Sequence, residues 1–230
     1  MIDTHTHLLP GVDDGVQNEE DALAILKAYS KDGVKGVCLT PHYALLRGFH
    51  EEKAYYETRF EALKKQVKAA GIEIDLYLGS EIDEYDNLEA IIEKSHTMNN
   101  THYVLIDFGM RKAEIEEVVY TLKMKGYQTV VAHPERYRYM DIEAWKKVRK
   151  EGGLLQVSAA HLIKEGSKRS QKMAMEFFKE DMIDLVASDI HHPDYAKSMV
   201  KAYKFVKKKK DKATAERLFD TTPKKVLGIE

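Results

Sequence analysis

The sequence predicts an α/β fold in which a parallel sheet is wound with helices, within one domain spanning residues 1–230. Short apolar, β-branched segments alternate with amphipathic segments of helical length, and this alternation occurs seven times. No low-complexity stretch or linker interrupts it, and 230 residues match one domain of α/β-barrel size. The prediction bears on function because parallel strands bring their carboxyl ends, and the loops that follow them, to one edge.

Each element is justified by local pattern. The segment 19–31 places Ala22, Ile25, Leu26 and Tyr29 on one helical face, and Gly33 follows its end. The predicted strands cover residues 1–7, 34–40, 72–78, 103–106, 128–132, 154–158 and 183–187. The predicted helices cover residues 19–31, 51–70, 87–94, 112–125, 142–151, 167–179 and 193–210, and the final residues are also predicted to be helical.

Composition excludes several classes of function. A formal net charge of −2 gives no bulk attraction to nucleic acid or to an anionic membrane. No apolar run is long enough to cross a bilayer, and the chain enters a strand directly, without the pattern of a signal peptide. Cys38 is the single cysteine, which excludes an internal disulfide. We therefore expect a cytoplasmic protein with no nucleic-acid partner and no membrane insertion.

Cys38 also does not indicate a cysteine phosphatase. It lies within an apolar strand, and the residues that follow lack the tight loop ending in arginine that such a nucleophile needs. Its expected role is core packing.

The first strand ends in two histidines, His5 and His7, separated by one residue. In an extended backbone, residues i and i+2 point to the same face, so both imidazoles can reach one metal ion. Asp13 and Asp14 follow in a loop marked by proline and glycine. Alone, an H-x-H pair more often belongs to an ordinary polar loop, so its interpretation depends on the rest of the chain.

Most of the other strands end in the same kind of residue. Six of the seven predicted strands carry a potential metal ligand at or just beyond the carboxyl end, and the sixth offers only Ser158 and His161. The candidate ligands are His5, His7, His42, Glu81, Asp107, His133, Asp189 and His191. Scattered polar residues have no reason to collect at one end of consecutive strands. We therefore predict a multinuclear metal site, whose imidazole and carboxylate donors suit zinc, manganese or iron.

The motifs in this order resemble the PHP (polymerase and histidinol phosphatase) superfamily. They are similar above all to the bacterial CpsB/YwqE-type protein-tyrosine phosphatases, which regulate capsular and exopolysaccharide synthesis. The matching motifs cover nearly the whole chain and are Asp3-x-His5-x-His7, Pro10-Gly11-x-Asp13-Asp14-Gly15, Thr40-Pro41-His42, Glu81, Ala132-His133-Pro134-Glu135-Arg136 and Ala187-Ser188-Asp189-x-His191. The resemblance implies a distorted (β/α)7 barrel, an active site at the carboxyl ends of the strands, a trinuclear centre usually supplied with manganese, and phosphotyrosine hydrolysis.

The resemblance also implies roles for individual residues. His5, His7 and Asp189 would hold the first metal, and Glu81 would bridge it to the second. The second metal would be completed by Asp107 and His133, and the third would be held by Asp14, His42 and His191. Arg136 matches the phosphate-binding arginine of the family.

Two positions depart from the family pattern. The family usually carries Glu where this chain has Asp107, whose side chain is one methylene shorter, so the second metal is expected to bind differently or more weakly. The family also tends to carry an arginine in the loop after the seventh strand, and the loop 192–197 has none. Lys197 or Arg47 are candidates to compensate, although a lysine lacks the bidentate fork of a guanidinium.

The expected reaction is phosphomonoester hydrolysis by a metal-activated hydroxide that attacks phosphorus while Arg136 binds the phosphate oxygens. Phenolate leaves with a pKa of about 10, so a general acid is helpful rather than essential. Asp13, His161 and His192 are weak candidates for that acid. The expected partner is a tyrosine-phosphorylated protein, such as the tail of a bacterial tyrosine kinase.

Two rival hypotheses stay open at this point. One is a phosphoesterase of the same superfamily that acts on a small metabolite such as histidinol phosphate. The other is a non-catalytic regulatory module that keeps the barrel and binds metal without turnover. Asp107 and the missing loop arginine motivate the second rival, and the retention of the other expected ligands argues against it.

Overall fold

The strands and helices alternate as the sequence predicts. The computed structural model describes residues 1–84 and 88–229. Its strands are β1 Ile2–Thr6, β2 Gly36–Leu39, β3 His42–Tyr43, β4 Asp75–Leu78, β5 Glu81–Asp83, β6 Tyr103–Asp107, β7 Gln128–Ala132, β8 Leu154–Ser158 and β9 Leu185–Ala187. Its helices are α1 Glu19–Lys31, α2 Lys53–Ala69, α3 Leu88–Lys94, α4 Ile115–Met124, α5 Ile142–Glu151, α6 Ala159–Leu162, α7 Lys168–Lys179, α8 Ser198–Lys209, α9 Lys212–Glu216 and α10 Thr222–Leu227.

Helix boundaries follow the local signals closely. Helices α1 and α5 have the predicted bounds, and each begins at a side-chain cap, Asn18 for α1 and Asp141 for α5. The start predicted at Asn87 lies outside the described residues, and α3 begins at Leu88. The predicted helix 193–210 is shorter than expected, since residues 193–195 form a separate 3₁₀ turn and α8 begins at Ser198.

Two predicted strands differ from the structure in a way that shapes the site. The strand predicted over 34–40 stops at Leu39 and resumes as β3 at His42, on the far side of Thr40 and Pro41. The strand predicted over 72–78 stops at Leu78 and resumes as β5 at Glu81, beyond Gly79 and Ser80. Each break lets the chain step from one sheet to another, and Pro41 suits the corner because it has no N–H to donate to a ladder.

The strands pair in parallel throughout the described chain. One sheet has the order β1-β2-β4 and the other has the order β3-β5-β6-β7-β8-β9. The two sheets meet at the β2–β3 and β4–β5 steps, and also at β1, where the Asp189 N–H donates to the His5 carbonyl at 2.9 Å and the His7 N–H donates to the Ile190 carbonyl at 3.0 Å. Adjacent strands therefore follow one another around a ring. The predicted fold class, a distorted α/β barrel, is confirmed.

The interior of the barrel is apolar at one end and polar at the other. Tyr103 and Leu105 lie on the same face of β6 as Asp107, because side chains alternate along a strand. Leu105 packs in a buried cluster with Val130, Leu185 and residues of α10. The helices cover the outer faces of the strands in a second, larger apolar cluster. The strand ends that carry the candidate ligands therefore lie above a buried apolar cluster.

No helix in the described part of the chain combines the length and the apolar character that crossing a membrane requires.

Gly15 lets the first loop fold back onto the end of β1. The Val16 N–H donates to the His7 carbonyl at 3.0 Å, so the loop runs directly against that residue. A Cβ atom on Gly15 would overlap the His7 carbonyl oxygen and Cβ and would lie 2.9 Å from its carbonyl carbon. Backbone atoms cannot move aside as a flexible side chain can. Glycine at this position therefore determines where Asp13 and Asp14 lie.

Gly15→Ala should lower the free energy of unfolding by about 1–3 kcal/mol, because the added methyl forces the loop away from His7. Urea denaturation of the two proteins measures the difference. Glu20→Ala, on the exposed first turn of α1, serves as the control and should stay within about 0.5 kcal/mol of the parent. A Gly15→Ala protein as stable as the parent would show that the loop is free to shift.

Candidate metal centre

The strand ends bring the predicted ligands together. Within residues 1–84 and 88–229, potential donor atoms gather in three groups in which all atoms lie within 4.8 Å of one another. The groups are His5, His7 and Glu81; Glu81, Asp107 and His133; and His7, Asp14, His42 and His191. The ninth predicted residue, Asp189, places Oδ1 3.5 Å from His5 Nε2 and 3.3 Å from His7 Nε2. The second group contains the residues that the resemblance implies for the second metal, whereas the first lacks Asp189 and the third adds His7 to the implied set. His7 and Glu81 therefore each belong to two groups.

His5 and His7 turn the same ring nitrogen toward the centre. His5 Nδ1 donates to Gln156 Oε1 at 2.8 Å, and His7 Nδ1 donates to Asp13 Oδ2 at 2.7 Å. These bonds place the proton of each neutral ring on Nδ1 and leave Nε2 with a lone pair. The two Nε2 atoms lie 3.1 Å apart. Two lone pairs at this distance repel unless a cation lies between or beside them.

Glu81 is the most central of the carboxylates and is only 1% exposed. Its Oε1 accepts from His133 Nε2 at 2.8 Å. Its Oε2 lies 3.3 Å from both His5 Nε2 and His7 Nε2 and 3.0 Å from His42 Nδ1. The two oxygens therefore face different groups of donors, which is the arrangement that a bridging carboxylate requires.

The third group lies nearest to solvent. Asp14 is 46% exposed, and its Oδ1 lies 3.3 Å from His42 Nε2 and 3.5 Å from His191 Nε2. Arg47 donates through Nη2 to Asp14 Oδ2 and lies with Nη1 3.1 Å from His42 Nε2. Arg47 was one of two candidates to compensate for the missing loop arginine, and its guanidinium lies against the third donor group.

Several buried atoms at the centre lack a hydrogen-bond partner among the described residues. They are His42 Nδ1, Glu81 Oε2, His133 Nδ1 and Asp189 Oδ1. His42 Nδ1 is close enough to Glu81 Oε2 for an ion pair, but the two are not aligned for a hydrogen bond. A buried polar atom without a partner costs about 1–3 kcal/mol, and a carboxylate oxygen costs more. Divalent cations satisfy such converging donors, so the residues fit a metal centre.

The electrostatics keep the carboxylates ionised. Burial alone would raise the pKa of Glu81, but the neighbouring His5 and His42 hold it well below the usual range. Burial would also raise the pKa of Asp189, and His5, His7 and Arg136 hold it well below its usual range. Burial would lower the pKa of His7, but the hydrogen bond to Asp13 and the carboxylates of Asp189 and Glu81 raise it. The centre is an anionic pocket that favours positive charge.

Two of the candidate ligands have a left-handed backbone. His133 has φ 33° and Asp189 has φ 54°, a region that non-glycine residues enter rarely. Each such residue costs of the order of 1–3 kcal/mol and persists only where its surroundings fix it. His133 directly follows β7, and Asp189 is the second residue after β9. From these turns, Asp189 Oδ1 lies 3.5 Å from His5 Nε2, and His133 Nε2 lies 2.8 Å from Glu81 Oε1.

The supporting residues were only partly predictable. Asp13 accepts hydrogen bonds from His7 Nδ1 and the His42 N–H at Oδ2 and from the Gly15 N–H at Oδ1. Burial would raise the pKa of Asp13, but the hydrogen bond to His7 outweighs burial and lowers it to about 2. Asp13 fixes the His7 ring. Gln156, which fixes His5 and donates to Thr4 Oγ1 at 3.0 Å, was missed. A glutamine flanked by apolar residues in the middle of a buried strand was the signal that could have identified it.

The other predicted site residues occupy different environments. Asp107 uses Oδ1 to accept from the Gly109 N–H at 2.7 Å, which leaves Oδ2, 4.0 Å from His133 Nε2, to face the centre. His192 is 65% exposed and pairs with Asp194. His161 pairs with Glu135. The guanidinium of Arg136 donates to Asp189 Oδ2 and remains 39% exposed, so it faces both the centre and solvent.

Comparison with known proteins gives consistent matches over the whole chain. A family model described as capsular polysaccharide synthesis, CpsB/CapC, matches residues 1–228. Tyrosine-protein phosphatase CpsB of Streptococcus agalactiae is 31% identical over 247 residues, which cover 99% of this chain and 98% of that protein. Tyrosine-protein phosphatase YwqE of Bacillus subtilis is 29% identical over 199 residues, which cover 84% of this chain and 78% of that protein.

Solved structures agree with these matches. A crystal structure from a study of YwqE from Bacillus subtilis and CpsB from Streptococcus pneumoniae, described as unique metal-dependent tyrosine phosphatases, superposes with a TM-score of 0.88. It is 25% identical, and the superposition covers 100% of this chain and 95% of that one. An archaeal ribonuclease P structure superposes with a TM-score of 0.63 at 14% identity, which reflects the shared fold alone.

His7→Ala should lower the metal content more than His133→Ala does, because His7 lies in two donor groups and His133 in one. The measurement is metal per chain by atomic emission after stripping and reloading with manganese. His102→Ala, an exposed histidine outside the donor groups, is the matched control and should keep the parent content. Equal losses in the His7 and His133 variants would contradict the sharing of His7.

Proposed function

We propose that this chain is a metal-dependent protein-tyrosine phosphatase. It belongs to the CpsB/CapC family of capsular polysaccharide synthesis. The single observation that carries the proposal is the convergence of His5 Nε2, His7 Nε2, Glu81 Oε2 and Asp189 Oδ1 beside an accessible guanidinium. With the ring protons of His5 and His7 on Nδ1, the two imidazoles offer lone pairs, and the two carboxylates add negative charge. Metal ions beside an arginine suit an anionic phosphoester.

The proposed ligands are the nine residues that the sequence predicts. The first metal would be held by His5, His7 and Asp189, the second by Asp107 and His133, and the third by Asp14, His42 and His191, with Glu81 between the first and second. Manganese is the proposed ion, and iron or zinc would accept the same imidazole and carboxylate donors. Bound divalent ions would supply Lewis acidity that activates water and neutralises charge on phosphate oxygens.

Arg136 is the proposed phosphate-binding residue. Its guanidinium can present two N–H groups to two phosphate oxygens, a geometry that lysine cannot match. Burial would lower the pKa of Arg136, but Asp189 and Glu135 raise it, so the side chain remains a cation. It would orient the phosphate and stabilise the charge that accumulates on its oxygens in the transition state. A phenolate leaving group needs little protonation, which suits a site that has no assigned general acid.

The proposed substrate is a tyrosine-phosphorylated protein, such as the tail of a bacterial tyrosine kinase that acts in capsule or exopolysaccharide synthesis. The third donor group is open at the surface, with Asp14 nearly half exposed. Leu46, on the 3₁₀ turn beyond β3, and Met110, in the loop after β6, are exposed apolar residues that a polypeptide could cover. An open mouth suits a chain-borne phosphotyrosine better than a small metabolite that must be enclosed. Residues 1–230 would form one catalytic domain that works in the cytoplasm.

The decisive experiment compares two phosphoesters on one protein. Metal-stripped protein is reloaded with manganese, and the turnover of a phosphotyrosyl peptide and of histidinol phosphate is measured with metal content in parallel. Preferential turnover of the peptide with two or three metals per chain supports the proposal. Preferential turnover of histidinol phosphate would assign a metabolite phosphatase, and full metal content without turnover of either would indicate a binding module.

Arg136→Ala should lower kcat/KM for the phosphotyrosyl peptide by about 10²–10³-fold while the metal content is retained, because one transition-state donor is lost. Steady-state kinetics and atomic emission on the same preparation measure both quantities. Arg138→Ala, an exposed arginine two residues away, should leave both unchanged. Loss of metal from the Arg136 variant would instead make Arg136 a residue that holds Asp189 in place.

A further inference from the structure

Glu135 is a buried carboxylate beside the centre that the proposed reaction does not use. It is 2% exposed and lies in the 3₁₀ turn Pro134–Arg136, between the candidate ligand His133 and the phosphate-binding Arg136. Its Oε1 accepts from the Ser158 N–H at 3.0 Å and from His161 Nδ1 at 2.6 Å. One oxygen therefore ties the turn after β7 both to the end of β8 and to α6.

His161 is held as firmly as its partner. It is 7% exposed and lies in the short helix α6, which follows β8 directly. A Cβ atom added at Gly166 would lie 2.9 Å from His161 Nε2, so the chain passes close to the ring on the side away from Glu135. The ring is thus confined between a carboxylate and the backbone. The contact with Glu135 is the hydrogen bond by which His161 can support the turn after β7.

The conformation of the turn that carries His133 and Arg136 depends on contacts from outside the turn. His133 has a left-handed backbone that its own sequence does not favour. The backbone bonds within the turn are few: the Arg136 N–H donates to the His133 carbonyl at 3.0 Å, and the Tyr137 N–H donates to the Pro134 carbonyl at 3.2 Å. Contacts from outside the turn must therefore hold this conformation, and Glu135 supplies two of them.

We propose that Glu135 and His161 are positioning residues that fix the Arg136 guanidinium and the His133 ring in their working orientation. The inference rests on the proposed function, since Arg136 is taken to bind phosphate. Arg136 sits directly after Glu135 in a three-residue turn, so a shift of the turn moves its guanidinium relative to Asp189. Small displacements of a phosphate-binding group cost affinity and rate steeply.

The chain offers a conservative test at Glu135. In Glu135→Gln, the amide oxygen can accept both hydrogen bonds, and the amide nitrogen takes the place of Oε2, which has no partner among the described residues. Glu135→Ala removes both bonds. We expect the inhibition constant for inorganic phosphate and the KM for a phosphotyrosyl peptide to rise at least tenfold in Glu135→Ala and to stay within about threefold in Glu135→Gln.

A residue that contacts the opposite end of β8 provides a matched control. Asp184 is also buried, and its Oδ2 accepts from the Leu155 N–H at 2.9 Å and from Arg149 Nε at 3.1 Å. Asp184 thus accepts a hydrogen bond from the start of β8, as Glu135 does from the end of β8. Asp184→Ala should lower the melting temperature and leave the inhibition constant for phosphate unchanged.

The experiment measures melting temperature, manganese content, phosphate inhibition and peptide kinetics for the parent and the Glu135→Gln, Glu135→Ala, His161→Ala and Asp184→Ala proteins. His161→Ala keeps the bond from Ser158, so we expect a smaller rise in the inhibition constant, and this variant decides the outcome if Glu135→Ala does not fold. A parent without turnover or phosphate inhibition refutes the proposed function itself. An active parent whose Glu135 and His161 variants change only in stability, as Asp184→Ala does, overturns the positioning role.

Discussion

The approach of His5 Nε2 and His7 Nε2 to 3.1 Å is the constraint on which the rest of the site depends. Both rings have their protons fixed on the far nitrogen by Gln156 and Asp13, so neither can donate to the other in the neutral state. Glu81 and Asp189 add negative charge to the same small volume. Without a bound cation the arrangement is costly, which is the physical reason to regard it as a metal centre rather than a polar core.

The barrel makes this concentration of charge possible. A parallel arrangement brings the carboxyl ends of all strands to one mouth, and the apolar floor below them resists collapse of the ligand positions. The steps at Thr40–Pro41 and Gly79–Ser80 place His42 and Glu81 at the start of β3 and β5, directly opposite each other in register. The distortion of the barrel therefore places two candidate ligands side by side on neighbouring strands.

The sequence predicted most of this because its signals are local. Helical periodicity, capping residues and glycine stops give α1 and α5 with their observed bounds, and the i, i+2 spacing of His5 and His7 needs only an extended strand. The split of two predicted strands was not predictable, since it depends on which sheet each half joins. The left-handed backbones of His133 and Asp189 were equally hidden, because only tertiary contacts hold those residues there. Partners such as Gln156 lie far away in sequence and become visible only in the fold.

The contact between Arg136 and Asp189 joins a candidate anion site to a candidate cation site. An anion that draws the guanidinium toward itself leaves the Asp189 carboxylate freer to coordinate a metal ion, and a metal ion on Asp189 leaves the guanidinium freer to bind an anion. Thermodynamic linkage makes this relation reciprocal, so each ligand would raise the affinity for the other by the same factor. In such a centre, the phosphate released by the reaction would raise the affinity for the metal ions. The metal ions would then be bound least tightly when no phosphate or substrate is present.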